Sequence, residues 1–264
     1  MLASDTLPTS GSRLVRQALL LWLIFFVCLV LLNGTIPFLL GRDLHAWTVS
    51  PTKRFLLSLL IYGGLCFCAP LILVKGWAVV RRPGFLLPCL AALAAITFWS
   101  TLRGIAAIVV VVYVYLHWRY DLSPLGFRTQ RWKGDLAVLL GIGLVVLIAV
   151  LFQSRMVPYP WGKSALGVLD RMFANPASTV ENVFYFGFLT ERLVEKTGRW
   201  LTPPLIAGMY TLHEMTNPEY WYGGSAFGFI FVGIWLVAAL YTWRRSMPVI
   251  WIGDGLTRFI FRAA

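Results

Sequence analysis

The chain has 264 residues, of which 59% are hydrophobic and only 13% are charged, and its mean hydropathy is +0.75. About a quarter of the residues of a soluble domain are charged, so this composition excludes an ordinary water-soluble protein and indicates one embedded in lipid. The net charge of +12 does not indicate nucleic-acid binding, because the basic residues form short clusters between long apolar segments, as in cytoplasmic loops of membrane proteins.

The predicted helices are the segments that approach the roughly 20 apolar residues needed to cross a hydrocarbon core. Four segments meet this length clearly: 15–32, 55–74, 135–152 and 224–243. Three shorter or more polar segments are further candidates: 178–193, 201–215 and 248–261. The segment 84–118 is too long for one ordinary span and is interrupted at Arg103-Gly104, so it crosses either once or as a tight helical hairpin.

The basic residues favour the hairpin. With a cytoplasmic N-terminus and two crossings in 84–118, the basic clusters at 75–82, 119–133, 192–199 and 244–245 all lie inside, whereas a single crossing places the second cluster outside. We therefore expect an all-α fold, a polytopic membrane bundle of about eight or nine transmembrane helices. The expected location is a prokaryotic plasma membrane, with the first span retained as a signal anchor because no small-residue cleavage site follows it.

Few polar side chains fall at membrane depth, where they are costly and usually face the interior of a bundle. The most notable, in chain order, are Glu181, Asn182, His213, Glu214, Asp254 and Arg258. Antiparallel helices bring the start of one and the end of the next to the same membrane face, so we expect Glu181 and His213 to meet. Cys66 and Cys68 are two apart on a predicted helix and point to different faces, which favours packing over a metal pair.

The chain contains three notable fragments, in the order "LSPLGFRTQRWKGDLAVLLGIGLVV", "VENVFYFGFLTERL" and "MYTLHEMTNPEYWYGG". Together they resemble the CAAX protease and bacteriocin-processing family of intramembrane proteases. "VENVFYFGFLTERL" resembles the family's first motif, two glutamates followed by three residues, an arginine and a glycine. "MYTLHEMTNPEYWYGG" resembles the second, an apolar or aromatic residue four before a histidine, and "LSPLGFRTQRWKGDLAVLLGIGLVV" resembles the loop and helix before the core. The resemblance covers 122–261, so it divides the chain into N-terminal transmembrane helices, 1–121, and a protease-like core, 122–264.

The chain departs from the family pattern at three places. Glu181 matches the first glutamate, but Asn182 replaces the second and Phe186 replaces the arginine. Loss of both together resembles removal of an ion pair, because either charge alone in a site of low dielectric carries a desolvation penalty of several kcal/mol. The family's histidine in the last core helix is also missing, and Asp254 and Arg258 stand nearest to that motif and share a helical face.

The resemblance implies a function and roles for these residues. Glu181 is the expected general base that activates water for attack on a peptide carbonyl, with assistance from His213. Arg258 is an expected donor to the developing oxyanion, while Asp254 and Asn182 line the site. The implied partners are the lipid bilayer and a membrane-associated or lipidated peptide, with no nucleic acid. A metal ion is compatible with the family, although one glutamate and one histidine do not form a closed metal site.

Other interpretations remain open. Glu181 could cap a helix N-terminus, and Asp254 with Arg258 could form a purely structural ion pair. At the level of function, the alternatives are a catalytically inactive relative that binds peptides or assists membrane assembly, and a small-solute transporter. Proteolysis that depends on Glu181 separates the protease from the inactive relative, and solute flux in vesicles identifies the transporter.

Overall fold

The computed structural model describes residues 11–48, 50–78, 81, 123–128, 131–154, 180–218 and 224–261. Every regular element in these ranges is helical, which confirms the predicted all-α class. The predicted hairpin, 84–118, lies outside the described residues. The number of membrane crossings and the division at residue 121 therefore stay predictions.

The described part of the N-terminal half, within residues 11–81, contains one long helix, four short helices and two π-helical elements. These elements are α1 (Gly11–Val30), a π turn (Leu31–Thr35), α2 (Ile36–Leu39), α3 (Leu44–Thr48), α4 (Pro51–Leu56), a π-helical stretch (Leu57–Cys68) and α5 (Ala69–Lys75). The second half begins with a 3₁₀ turn (Ser123–Leu125) and α6 (Trp132–Ser154), followed by a π-helical segment (Val183–Leu189), α7 (Thr190–Glu214), α8 (Gly224–Arg244) and α9 (Met247–Phe261). Hereafter Val183–Leu189 is called the π segment.

Three helices of the described part are long and apolar enough to cross a membrane. They are Arg13–Leu39, Pro51–Lys75 and Phe227–Arg244, and each contains a clear span predicted from the sequence or most of one. Their outer faces carry exposed apolar side chains such as Leu20, Leu60 and Phe229. Contiguous apolar surface of this kind is rare on soluble monomers and suits contact with lipid.

A sharp bend divides α7 into two arms. Gly198 lies inside the helix at φ 77° and ψ 174°, a conformation that residues with a Cβ rarely adopt. Thr202 stabilises the bend by donating its hydroxyl to the carbonyl of Gly198 at 2.6 Å. The chain therefore turns back, and the arm before Gly198 packs antiparallel to the arm after it, as the separate predicted helices 178–193 and 201–215 required.

The π segment lies at the centre of the molecule, and all of its residues are buried. Phe25 of α1 packs against Phe184 and Tyr185, with ring centroids 5.2 and 6.2 Å apart. On another side, Phe186 packs against Tyr241 of α8. Large aromatic side chains contribute most of the apolar area buried here, so this segment anchors α1, α7 and α8 to one another.

The chain just before α6 docks closely onto this centre. Gly187 allows the approach, because a Cβ there would collide with the backbone carbonyl of Leu125. Gly126 has a φ of 81° and lies against the Tyr241 ring, and its carbonyl accepts a 2.8 Å hydrogen bond from the Met247 amide. The docked segment therefore links the π segment to the junction between α8 and α9.

Candidate functional site

The structure brings Glu181 and His213 together. Nε2 of His213 lies 3.5 Å from Oε1 of Glu181, although 32 positions separate the residues in the chain. Both side chains are buried, with 5% of Glu181 and 8% of His213 exposed. The bend at Gly198 explains the contact, because it places the end of α7 beside the start of the preceding helical segment.

Two tyrosine hydroxyls also contact the Glu181 carboxylate. Tyr210, one turn before His213 on α7, donates to Oε2 at 3.3 Å. The hydroxyl of Tyr62, from the π-helical stretch Leu57–Cys68, lies beside the same carboxylate. A buried carboxylate needs such donors, since burial without them carries a large desolvation penalty. Glu181 is thus fixed in place by side chains from two separate parts of the chain.

Aromatic rings hold the His213 imidazole on several sides. The ring stacks parallel to Tyr185 at 6.0 Å, and Phe25 meets it edge-on at 5.1 Å. Trp22 of α1 extends this wall by donating its indole N–H to the Tyr185 hydroxyl at 3.3 Å. The ring is therefore restrained in orientation, with Nε2 toward the carboxylate.

Nδ1 of His213 is buried and has no hydrogen-bond partner among the described residues. A neutral imidazole with its proton on Nε2 offers Nδ1 as an acceptor, whereas a protonated imidazole offers Nδ1–H as a donor. Nδ1 is therefore available to a reacting group while Nε2 faces Glu181. This arrangement suits a residue that shares or transfers a proton.

The backbone that carries Glu181 is unusual. Regular α-helix at Val180–Asn182 widens directly into the π segment, and the Thr190 amide closes the last π turn on the carbonyl of Tyr185. The Thr190 hydroxyl donates to the same carbonyl at 2.9 Å. π turns are uncommon and often occur at functional sites because they re-aim side chains relative to an α-helix.

A second polar contact lies beside the first. Nδ2 of Asn182 donates to Oδ2 of Asp254 in α9 at 3.1 Å, so two of the predicted site-lining residues touch. Phe186 is almost fully buried against Tyr241. An apolar ring therefore fills the space next to the helix where the resemblance places an arginine. The Arg258 side chain lies outside the described residues, and its expected pairing with Asp254 and its oxyanion role remain predictions.

The side chains at the site do not fit a closed metal centre. Among the described residues, no three His, Cys, Asp or Glu side chains lie close enough together to hold a metal ion. Glu181 and His213 supply two donors, fewer than the three protein ligands of a usual catalytic zinc site. No step proposed below uses a metal.

Another buried carboxylate shows a contrasting environment. Oε2 of Glu191 accepts from Arg128 at 3.0 Å and from Arg245, and its Oε1 accepts from the Tyr241 hydroxyl at 2.8 Å. Both carboxylate oxygens of Glu191 are therefore engaged, one by two guanidinium groups and the other by a hydroxyl. Such saturation is typical of a structural ion network. Glu191 therefore ties the docked segment to the α8–α9 junction, a role the sequence did not reveal.

Sequence reasoning also missed Tyr62 and Tyr210 as partners of Glu181. Tyr210 had a detectable signal, because it lies three residues before His213 and so on the same helical face. Tyr62 had none, since it lies in an apolar segment more than 100 residues away. Helical spacing finds neighbours on one element but not the contacts between distant elements.

Comparison of the chain with protein-family models, with characterised proteins and with solved structures found no match in any of the three searches.

Proposed function

We propose that the chain is an intramembrane endopeptidase, in which Glu181 activates water to hydrolyse a peptide bond of a membrane-associated substrate. The observation that supports this most is the buried contact between Glu181, which lies just before the π segment, and His213, which lies near the end of α7. The proposal includes membership of the CAAX protease and bacteriocin-processing family, as a divergent member, and a bundle of eight or nine membrane spans.

The proposed mechanism uses the chain's own side chains. Glu181 accepts a proton from water, because a carboxylate in apolar surroundings is a stronger base than one in bulk solvent. The Tyr210 hydroxyl fixes the carboxylate, and the hydroxide formed from the water adds to the carbonyl carbon of the substrate peptide bond. His213 carries its proton on Nδ1, which donates to the developing oxyanion, while Nε2 faces the protonated Glu181. As the C–N bond breaks, the proton held between Glu181 and Nε2 passes to the leaving amine nitrogen.

The carboxylate of Asp254 replaces, in this proposal, the second glutamate that the family motif has at position 182. Asn182 donates to Asp254, so a side chain with a donor faces a side chain with acceptors. A glutamate at 182 would instead place two carboxylates against each other. In this proposal the carboxylate lost at position 182 is supplied instead by Asp254 on the neighbouring helix α9.

An apolar cavity of about 700 Å³ lies near the His213 end of α7 and suits the approach of a membrane substrate. Phe26, Val30 and Phe38 line it from the N-terminal helices, and Leu212 and Met215 line it from α7. Its volume is within the range of about 300–1,000 Å³ of ordinary ligand pockets. The adjacent apolar walls favour a substrate that arrives from the lipid phase.

The first experiment identifies the substrate. Protein termini in membranes of cells that express the native chain are compared with those of cells that express Glu181→Gln or Glu195→Gln. The Glu195 change is a matched control, because it makes the same chemical replacement at an exposed position of α7. We expect one or more new termini with the native chain and with Glu195→Gln, and their loss with Glu181→Gln.

Identical sets of termini in the three strains, with the proteins equally abundant in the membrane, would contradict the proposal. That result would favour the inactive relative that binds peptides without cutting them.

A further inference from the structure

A second cavity lies at the bend of α7, one helical arm away from His213. It encloses about 470 Å³ between the start of α6, this bend and the α8–α9 junction. Its lining includes Ser246 and five arginines, Arg128, Arg131, Arg199, Arg244 and Arg245. None of these residues contributes to the Glu181 site.

The cavity carries a surplus of positive charge. Arg244 pairs with Asp135, with Nη2 and Oδ1 2.6 Å apart, while Arg128 and Arg245 both pair with the buried Glu191. Even when these two carboxylates are set against the five lining guanidinium groups, three positive charges remain. Guanidinium groups that line one cavity repel one another, and an anion bound between them would offset that repulsion.

Two of the five arginines have no carboxylate partner in the part of the chain that the structure describes. Arg131 and Arg199 are both exposed side chains, and they reach the cavity from α6's first turn and from the bend of α7. Their guanidinium groups are therefore available to a ligand, whereas the other three also support the fold.

Two buried polar atoms provide independent evidence for a ligand. Ser246 is 2% exposed, lines the cavity, and its Oγ has no hydrogen-bond partner among the described residues. Nε of Arg245 is buried and lacks a partner in the same way. Buried donors are nearly always satisfied in folded proteins, so unsatisfied ones around a cationic cavity indicate an absent acceptor.

We propose that this cavity binds a phosphate group, either in the headgroup of an acidic lipid or in a water-soluble phosphate ester. Guanidinium forks match the geometry of phosphate oxygens and form strong charge-assisted hydrogen bonds with them. Ser246 Oγ and Arg245 Nε then donate hydrogen bonds to the phosphate oxygens that Arg131 and Arg199 do not contact. Basic pockets between membrane helices on the cytoplasmic side typically hold acidic lipid headgroups.

The test measures thermal unfolding of the purified full-length protein under four conditions. The protein is placed in nanodiscs of phosphatidylcholine alone, in nanodiscs with added phosphatidic acid, and in detergent with or without inorganic phosphate at constant ionic strength. The cavity variant is Arg131→Gln with Arg199→Gln. The matched control is Arg16→Gln with Arg54→Gln, which removes equal charge from exposed positions outside the cavity.

We expect added phosphatidic acid or added inorganic phosphate to raise the unfolding temperature of the native and control proteins. The cavity variant should bind at least about ten-fold more weakly, since each lost charge-assisted hydrogen bond contributes about 1.5–3 kcal/mol. A response to phosphatidic acid alone assigns the lipid headgroup, and a response to inorganic phosphate in detergent assigns the soluble source.

Ser246→Ala provides a second, structurally mild variant, because the Oγ makes no hydrogen bond in the described structure. It should unfold at the native temperature without phosphate and show a reduced response with it. An equal response of native, cavity-variant and control proteins, or no response in any of them, would overturn the proposal.

Discussion

At the scale of single residues, the environment of Glu181 consists of hydroxyl donors and an imidazole. Tyr210→Phe removes the 3.3 Å donor to Oε2 and preserves the ring that packs on Tyr185 and His213. We expect a loss of roughly ten-fold in peptide-cleavage rate, because a hydrogen bond to a charged group contributes about 1.5–3 kcal/mol. The unfolding temperature should change little. The measurement is the cleavage rate at saturating substrate, alongside a thermal unfolding curve.

Tyr185→Phe serves as the control for that change. It removes a buried hydroxyl that binds Trp22 rather than Glu181. If Tyr185→Phe lowers the cleavage rate as much as Tyr210→Phe does, the loss comes from altered packing. The proposed role of the Tyr210 hydroxyl as a donor to Glu181 is then wrong.

The contact between Asn182 and Asp254 gives a second residue-scale prediction. Asn182→Asp alone places two carboxylates about 3 Å apart and should lower the unfolding temperature, since like charges at this distance repel in a partly buried site. The double variant Asn182→Asp with Asp254→Asn restores one donor and one acceptor. We expect it to recover most of the lost stability, as measured by thermal unfolding in detergent. A double variant less stable than both single variants would show that the pairing is not interchangeable.

The site was only partly predictable from the sequence. Polarity at membrane depth and antiparallel helices suffice to expect that Glu181 and His213 meet. The tyrosine donors and the pairing of Asn182 with Asp254 depend on packing between elements far apart in the chain. Hydrophobic periodicity carries no information on such contacts, because it reports which face of a helix is buried and not what covers it.

At the scale of elements, two glycines hold the segment before α6 against the π segment. Gly187→Ala should destabilise the protein by about 1–3 kcal/mol, because its methyl group would collide with the Leu125 carbonyl and overpacked interiors must shift. Gly141→Ala in α6 is the control, since a methyl group there meets nothing within 4 Å. Thermal unfolding of both variants tests the prediction. Equal stability of the two would mean that the segment does not dock as described.

The length of the apolar segments predicts where helices lie, but it does not predict bends or π turns. Segment length located α6 within a few residues, since the predicted span 135–152 lies inside Trp132–Ser154. It separated the two predicted helices 178–193 and 201–215, but it did not reveal that a sharp bend at Gly198 joins them with almost no loop between. It also missed the π turns, because widening by one residue per turn leaves hydrophobicity unchanged.

At the scale of the whole molecule, the arginine cavity and the Glu181 site lie at opposite ends of the second arm of α7, which runs from the bend at Gly198 to Glu214. Arg199 and Asn217 are 18 residues apart on nearly continuous helix, roughly 27 Å at the helical rise. With Arg131, Arg199 and Arg244 lining one cavity, the positive-inside rule predicts that this end faces the cytoplasm. We therefore expect cysteines introduced at 199 and 244 to react with an impermeant thiol reagent from the cytoplasmic side. A cysteine introduced at 217 should react from the opposite side.

The labelling uses a background in which the four native cysteines are replaced, and each variant is checked for membrane insertion. Reaction of positions 199 and 217 from the same side would contradict this orientation.

The most direct measurement of the central claim is cleavage of the identified substrate by purified protein in vesicles. The native chain and Glu195→Gln should cut at the same rate. Glu181→Gln should abolish turnover, because it preserves shape and removes the base, and His213→Ala should reduce the rate by about 100-fold or more. Full activity of Glu181→Gln, in protein that inserts and folds as the native chain does, would contradict the assignment of Glu181 as the general base.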